Sequence, residues 1–167
     1  MILTVWRHGE AGRAAEDRLR PLTLQGERDI STGAGRQWGL CAQRNLPVPD
    51  ALWHSRWVRT TQTAGLLLLG HPTLPHRAEE ALIPGAEPAD VEQALEPLWG
   101  DVSAPRHLIL VSHQPLVSAL VDHWLGESRA APPHPPGGLV SLQLDAPAAG
   151  CARLLWWAFP PHYEAGL

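Results

Sequence analysis

Hydrophobic and polar positions alternate along the chain with two different periods. Ile2 to Trp6 is a short apolar run broken only by Thr4, and it leads straight into Arg7, His8 and Gly9. That pattern predicts a buried strand ending in a charged loop. Residues 7–22 form a polar, arginine-rich loop that ends in Arg20-Pro21-Leu22. Thr23 is a good N-cap for a helix running to about Arg44. Ile30, Ala34, Trp38 and Cys41 would make its apolar side. Gly26, Gly33, Gly35 and Gly39 work against that helix, each costing roughly 1 kcal/mol relative to alanine.

The next elements follow the same logic. A proline-containing turn over Asn45–Asp50 precedes a short strand, Ala51–His54, and a helix from about Trp57 to Leu69 with Gly70 as its stop. Residues 71–88 read as a loop with one short strand, and 89–99 as a helix. His107–Ser112, "HLILVS", is continuously apolar, as expected of a central parallel strand covered on both faces. Pro115 suits the first turn of a helix, and Leu116, Val117, Leu120, Val121, Trp124 and Leu125 repeat at helical spacing up to Gly126. "AAPPHPPGG", residues 130–138, admits neither helix nor central strand and reads as a stiff loop. Two late strands, Leu139–Leu144 and Ala152–Ala158, are followed by "PPHYEAGL", read as a surface segment. The alternation of strands and helices predicts an α/β fold, a three-layer α/β/α sandwich with a mainly parallel central sheet, in one domain over residues 1–167.

Composition narrows the classes. With 167 residues, 44% hydrophobic and 18% charged, the chain reads as globular rather than disordered. A formal net charge of -4 argues against a general nucleic-acid binder, though not against a local basic pocket. No apolar run approaches a membrane span, and the N-terminus lacks the pattern of a signal peptide. Cys41 and Cys151 match no metal-ligand spacing and are expected to be free thiols in a reducing cytoplasm.

In open α/β sheets ligands bind beyond the carboxyl ends of the strands. Three segments leave a predicted strand carrying charge or imidazole at once: Arg7-His8-Gly9, Ser55 to Arg59, and Ser112-His113. Two arginines and two histidines facing one point would make an anion site, because the guanidinium fork matches phosphate oxygens. Arg59 and His113 would each lie near a helix N-terminus, which also favours an anion. Gly9 would let the backbone pass close to a ligand or take a positive φ. A histidine kept neutral by neighbouring cations can attack phosphorus and carry the phosphoryl group covalently. The other histidines, His54, His71, His76, His107, His123, His134 and His162, are read as structural.

"RHGEAG" near the N-terminus, "SRWVRTTQTA" at 55–64 and "LVSHQP" at 110–115 together resemble the histidine phosphatase superfamily, also called phosphoglycerate-mutase-like. "RPLTLQG" at 20–26 and the short chain resemble its small SixA-like branch of phosphohistidine phosphatases. The resemblance implies a phosphoglycerate-mutase-like fold and a phosphatase with His8 as the phosphorylated nucleophile. It implies Arg7, Arg59 and His113 as the rest of the phosphate pocket, with Gly9 and Arg20 added to the predicted substrate-binding set. It implies no metal and no organic cofactor. The chain departs from the pattern where Arg56, not proline, follows Ser55, and where Thr60 stands at a usual alanine; Arg56 is expected at the pocket rim.

Larger relatives add a carboxylate general acid from an inserted segment. Here Glu79, Glu80 and Glu87 lie in roughly that region, but none sits in a recognisable motif. Alkoxide leaves poorly without a proton donor. Phosphohistidine needs none from the enzyme, since its free ring nitrogen is protonated near neutral pH and neutral imidazole then departs. The expected partner is therefore a protein carrying phosphohistidine, with a small phosphate ester, or phosphate binding without turnover, as alternatives. No nucleic acid or membrane partner is expected.

Overall fold

The computed structural model describes residues 1–167. The elements in chain order are β1 (Ile2–Arg7), α1 (Leu24–Gln43), β2 (Ala51–His54), α2 (Val58–Leu68), β3 (His76–Ala78), α3 (Pro88–Leu95), β4 (His107–Ser112), α4 (Leu116–Leu125), β5 (Leu139–Leu144), β6 (Ala152–Ala158) and β7 (Ala165–Gly166). All seven strands join one sheet in the order β3-β2-β4-β1-β5-β6-β7. The first four are mutually parallel, and β5, β6 and β7 extend the sheet antiparallel. The sheet is thus parallel at its core, with β1 at the boundary between the two halves.

Side-chain alternation along the central strands builds the three layers. Leu3, Val5, Leu108 and Leu110 face a core closed by Val91 and Leu95 of α3 and by Leu116, Val117, Leu120, Val121 and Trp124 of α4. Ile2, Trp6, Ile109 and Val111 face the opposite core, closed by Ile30 and Cys41 of α1 and by Ala64 and Leu67 of α2. No helix is long and apolar enough to cross a membrane. Both cysteines are free, Cys41 buried and Cys151 half-buried.

Several local expectations change. Thr23 does cap α1, its hydroxyl accepting from Gly26 N–H at 3.0 Å. The inward face of α1, however, is Gly26, Ile30, Gly33, Gln37 and Cys41, with Ala34 and Trp38 only half-buried. Two of the glycines that weaken the helix, Gly26 and Gly33, are there for close packing, whereas Gly35 and Gly39 have open space beside them. A Cβ at Gly33 would lie 2.6 Å from the Tyr163 ring, and one at Gly26 would collide with the Glu10 backbone. The predicted helix over 89–99 stops at Leu95 and tightens into a 3-10 turn, Glu96–Leu98. Pro97, with no N–H to donate, accounts for the break. Pro115 sits at the N-cap of α4 rather than inside its first turn. The C-terminal segment is not simply surface: Tyr163 is fully buried and donates to the Gly137 carbonyl at 3.0 Å, and β7 closes the sheet edge.

Candidate active site

The carboxyl ends of β1, β2 and β4 lie side by side, because β4 pairs with β1 on one side and β2 on the other. A cavity of about 450 Å³ opens there, lined by Arg7, His8, Arg20, Arg59 and His113 together with Glu10, Ala11, Asp17, Pro84, Gln114 and Pro136. Of the site residues proposed from sequence, only Gly9 fails to line it. Gly9 N–H donates to Thr63 Oγ1 at 3.1 Å, and a Cβ at Gly9 would press on Gly26 and Ile30 at 3.0 Å. Its close approach is to α1, not to a ligand, and its φ is not positive. Gly9 is therefore corrected from a ligand contact to a packing residue.

His8 follows β1 directly, its backbone N–H held by the Ser112 carbonyl at 3.0 Å and its carbonyl by Gly137 N–H at 2.9 Å. The imidazole tautomer follows from its partners. Nδ1–H donates to the Gly9 carbonyl at 2.7 Å, and Nε2 accepts from Arg59 Nε–H at 3.1 Å. An arginine is always protonated, so the lone pair must be on Nε2. Burial, assisted by the charges of Arg59, Arg7 and Arg20, pushes the His8 pKa down to about 4, against the bond to Gly9. The ring is neutral at physiological pH.

His113 lies just past β4, its ring centroid 5.2 Å from that of His8. Burial first, then the charges around it, lowers its pKa to about 3. Its Nε2 is 2.9 Å from Ser55 Oγ, while its buried Nδ1 has no partner. Ser55 Oγ already accepts, at 3.4 Å, from Trp57 N–H. The bond between Nε2 and Ser55 Oγ fits either ring tautomer, and Nδ1 is left without a protein partner. The single hydroxyl hydrogen of Thr60 is in turn shared between the Ser55 and Trp57 carbonyls, 2.7 and 2.8 Å from Oγ1. The threonine that departs from the family pattern thus braces the start of α2.

The arginines are held differently. Arg7, at the end of β1, donates Nη1–H to the His134 carbonyl at 2.9 Å, so the proline-rich loop fixes one of its arms. Its buried Nε has no partner. Arg59, in the first turn of α2, is buried; Nη1–H donates to the Asp17 carbonyl at 2.7 Å and Nη2–H to Asp17 Oδ2 at 3.2 Å. Arg20 donates to the Gly12 carbonyl at 2.6 Å, the Ala11 carbonyl at 3.2 Å and Asp17 Oδ1 at 3.0 Å. These contacts, the Arg20 hydrogen bond foremost, hold the Asp17 carboxyl below the ordinary carboxylate range.

The acid candidates from sequence do not reach this cavity. Glu79 pairs with Arg77 at 2.8 Å and Glu80 with Arg56 at 3.0 Å. Both line a neighbouring groove that shares only Pro84 with the site. Glu87 is the N-cap of α3, its N–H donating to Asp90 Oδ2 at 2.8 Å. The carboxylates that do line the cavity are Glu10 and Asp17. Glu10 accepts at Oε1 from Thr23 Oγ1–H at 2.8 Å. Ser55, Asp17 and Gln114 are the contributors that sequence reasoning missed. Ser55 and Asp17 carry no signal apart from lying in the motif-bearing loops, and Gln114 none apart from following His113. No group of three or more His, Cys, Asp or Glu side chains is placed to hold a metal ion.

No protein-family model matches the chain, and no curated protein sequence does either. Solved structures do. The protein histidine phosphatase SixA complexed with tungstate superposes with a TM-score of 0.77 at 26% identity, over 96% of this chain and 97% of that one. A candidate phosphohistidine phosphatase SixA from Agrobacterium tumefaciens gives 0.75 at 23% identity, over 95% and 98%. A mycobacterial glucosyl-3-phosphoglycerate phosphatase complexed with VO3 gives 0.64 at 20% identity, over 95% and 99%.

Proposed function

We infer that this chain, whose fold is that of the histidine phosphatase (phosphoglycerate-mutase-like) superfamily, is a phosphatase that works through a covalent phosphohistidine on His8, with protein phosphohistidine as its substrate. One observation carries the reading. A neutral imidazole presents its Nε2 lone pair among Arg7, Arg20 and Arg59 and across from His113, in a cavity open to solvent. The tungstate and VO3 complexes among the neighbours support it, since both oxyanions share phosphate's chemistry.

The reaction follows from the geometry. Substrate phosphate oxygens take over the Nε–H of Arg59, which frees the Nε2 lone pair. They also take the free donors of Arg7 and a ring N–H of His113. His8 Nε2 attacks phosphorus and the bond to the leaving group breaks, the leaving atom taking the electron pair. The Gly9 carbonyl holds Nδ1–H and stabilises the charge that develops on the ring. Water then attacks the phosphorus of phospho-His8, releasing inorganic phosphate and restoring the imidazole. Charge-assisted donors already in place at the transferring group supply the stabilisation. Neither step calls for a metal or an organic cofactor.

Substrate choice turns on the leaving group. Asp17 is held ionised by two arginines, and Glu10 is tethered to Thr23. Neither is poised as a proton donor. Phosphohistidine, protonated on its free ring nitrogen, leaves as neutral imidazole and needs no donor from the enzyme. The test is turnover of a phosphohistidine protein beside aryl, sugar and alkyl phosphates. Rates should fall steeply as leaving-group pKa rises, with Glu10→Gln, Glu79→Gln, Glu80→Gln and Glu87→Gln each changing phosphohistidine turnover little. A lost general acid costs roughly 10²- to 10⁴-fold. A flat dependence made steep by one of these substitutions would move the assignment to a small-molecule phosphomonoesterase.

A further inference from the structure

A guanidinium has two usable edges: the end-on pair Nη1 and Nη2, and the side-on pair Nε and Nη2. In Arg59 the two edges are divided between different partners. The end-on edge is taken by a single residue, Asp17, through its carbonyl to Nη1 at 2.7 Å and its Oδ2 to Nη2 at 3.2 Å. The side-on edge faces the reacting nitrogen, with Nε–H 3.1 Å from His8 Nε2. Because the end-on edge is clamped, the guanidinium plane is fixed and the side-on edge is aimed where phosphorus must sit. The second oxygen of the same carboxylate, Oδ1, takes Arg20 Nη1–H at 3.0 Å. Arg20 is itself pinned to the Gly12 and Ala11 carbonyls. The carboxylate therefore bridges two cations on opposite elements, one on the loop after β1 and one on α2.

We propose that Asp17 is a positioning residue for phosphoryl transfer: by clamping the end-on edge of Arg59 and bridging to Arg20, it holds the side-on edge of Arg59 against the phosphoryl group at His8. The proposal rests on His8 being the nucleophile. Two other roles would leave different marks. If Asp17 were only a surface ion pair, its loss would remove a negative charge from an anion site and leave turnover intact or improved. If it were a general acid, its loss would fall hardest on poor leaving groups.

Asp17→Asn keeps the backbone carbonyl and the shape but loses the bridging charge; Asp17→Glu keeps the charge one methylene further out. Asp17 is more than half exposed, so both variants should fold, which a thermal melt checks. For Asp17→Asn, kcat across a series of aryl phosphates should drop by roughly 10- to 100-fold, the scale expected of a misplaced catalytic group. The drop should be the same for every leaving group, and Asp17→Glu should recover most of it. Asp17→Asn with wild-type kcat, or a loss that grows with leaving-group pKa, overturns the clamp. Acid-labile trapping of phosphate on wild-type protein runs alongside. An unlabelled wild type fails the nucleophile reading and the clamp with it. A labelled wild type with an unimpaired Asp17→Asn fails the clamp alone.

Discussion

Strand β4 begins with one buried histidine and is followed by another, and the proposed function gives the two opposite roles. His107, at its start, is fully buried, and burial lowers its pKa to about 4. His113, just past its end, is buried almost as completely and is pushed down to about 3. Burial and pKa do not separate them; their hydrogen bonds do. His107 Nδ1–H donates to the Pro47 carbonyl at 2.8 Å, and its Nε2 accepts from Thr4 Oγ1–H at 2.8 Å. Thr4 is bonded to Ser141 and Gln37, and Gln37 to Trp156, so a closed polar network stitches α1 to the centre of the sheet. His113 has one nitrogen on Ser55 and the other unspent, beside His8 and a cavity with three arginines. A depressed histidine pKa marks burial; a place in the cavity where the cations converge marks chemistry.

Exchanging the two ends tests this most strongly. His113→Ala removes a donor to the transferring phosphoryl group and should cut kcat by about 10²-fold or more. His107→Ala should leave kcat near wild type. It should instead lower stability by about 1–3 kcal/mol, because it strands buried hydrogen-bonding groups. The pair of measurements is kcat on an aryl phosphate and the urea midpoint of each variant. A His107→Ala protein that folds normally but is as slow as His113→Ala would erase the distinction.

The arginines sharpen it with smaller effects. Arg7→Ala and Arg59→Ala each delete a charge-assisted donor worth about 1.5–3 kcal/mol, and each should weaken inorganic phosphate or vanadate binding accordingly. Arg56 is exposed and pairs with Glu80 outside the cavity, so Arg56→Ala should do much less. Titration of the three variants with vanadate would show this directly; equal losses at all three would mean that the pocket is drawn around the wrong side chains.

The site was legible to the degree that it obeys the strand-end rule. Arg7, His8, Arg59 and His113 each follow a strand that the hydrophobic pattern predicts, and registry between β1, β2 and β4 brings the three ends together. Contacts made across long sequence separations were not legible. The His134 carbonyl steadies Arg7 from 127 residues away, and Thr63 takes the Gly9 N–H from 54 residues away. Neither leaves a trace in local pattern. The inward face of α1 was misread because Gly33 is buried for the sake of Tyr163, in a tail that polarity alone assigns to the surface. Glu79, Glu80 and Glu87 were placed near the site by chain position, yet their carboxylates or backbone are used in local ion pairs and a helix cap. The Asp17 bridge needed side-chain geometry, since an aspartate in an arginine-rich loop is compatible with a solvated charge.

Covalent capture tests the assignment of His8 most directly. Protein mixed with a labelled phosphate donor and quenched in alkaline denaturant should carry label that is lost on acid treatment, as a phosphoramidate is. Peptide mapping should place it on His8, and His8→Ala should neither retain label nor turn substrate over. Turnover by His8→Ala at a rate near wild type, or acid-stable label on another residue, would contradict the assignment.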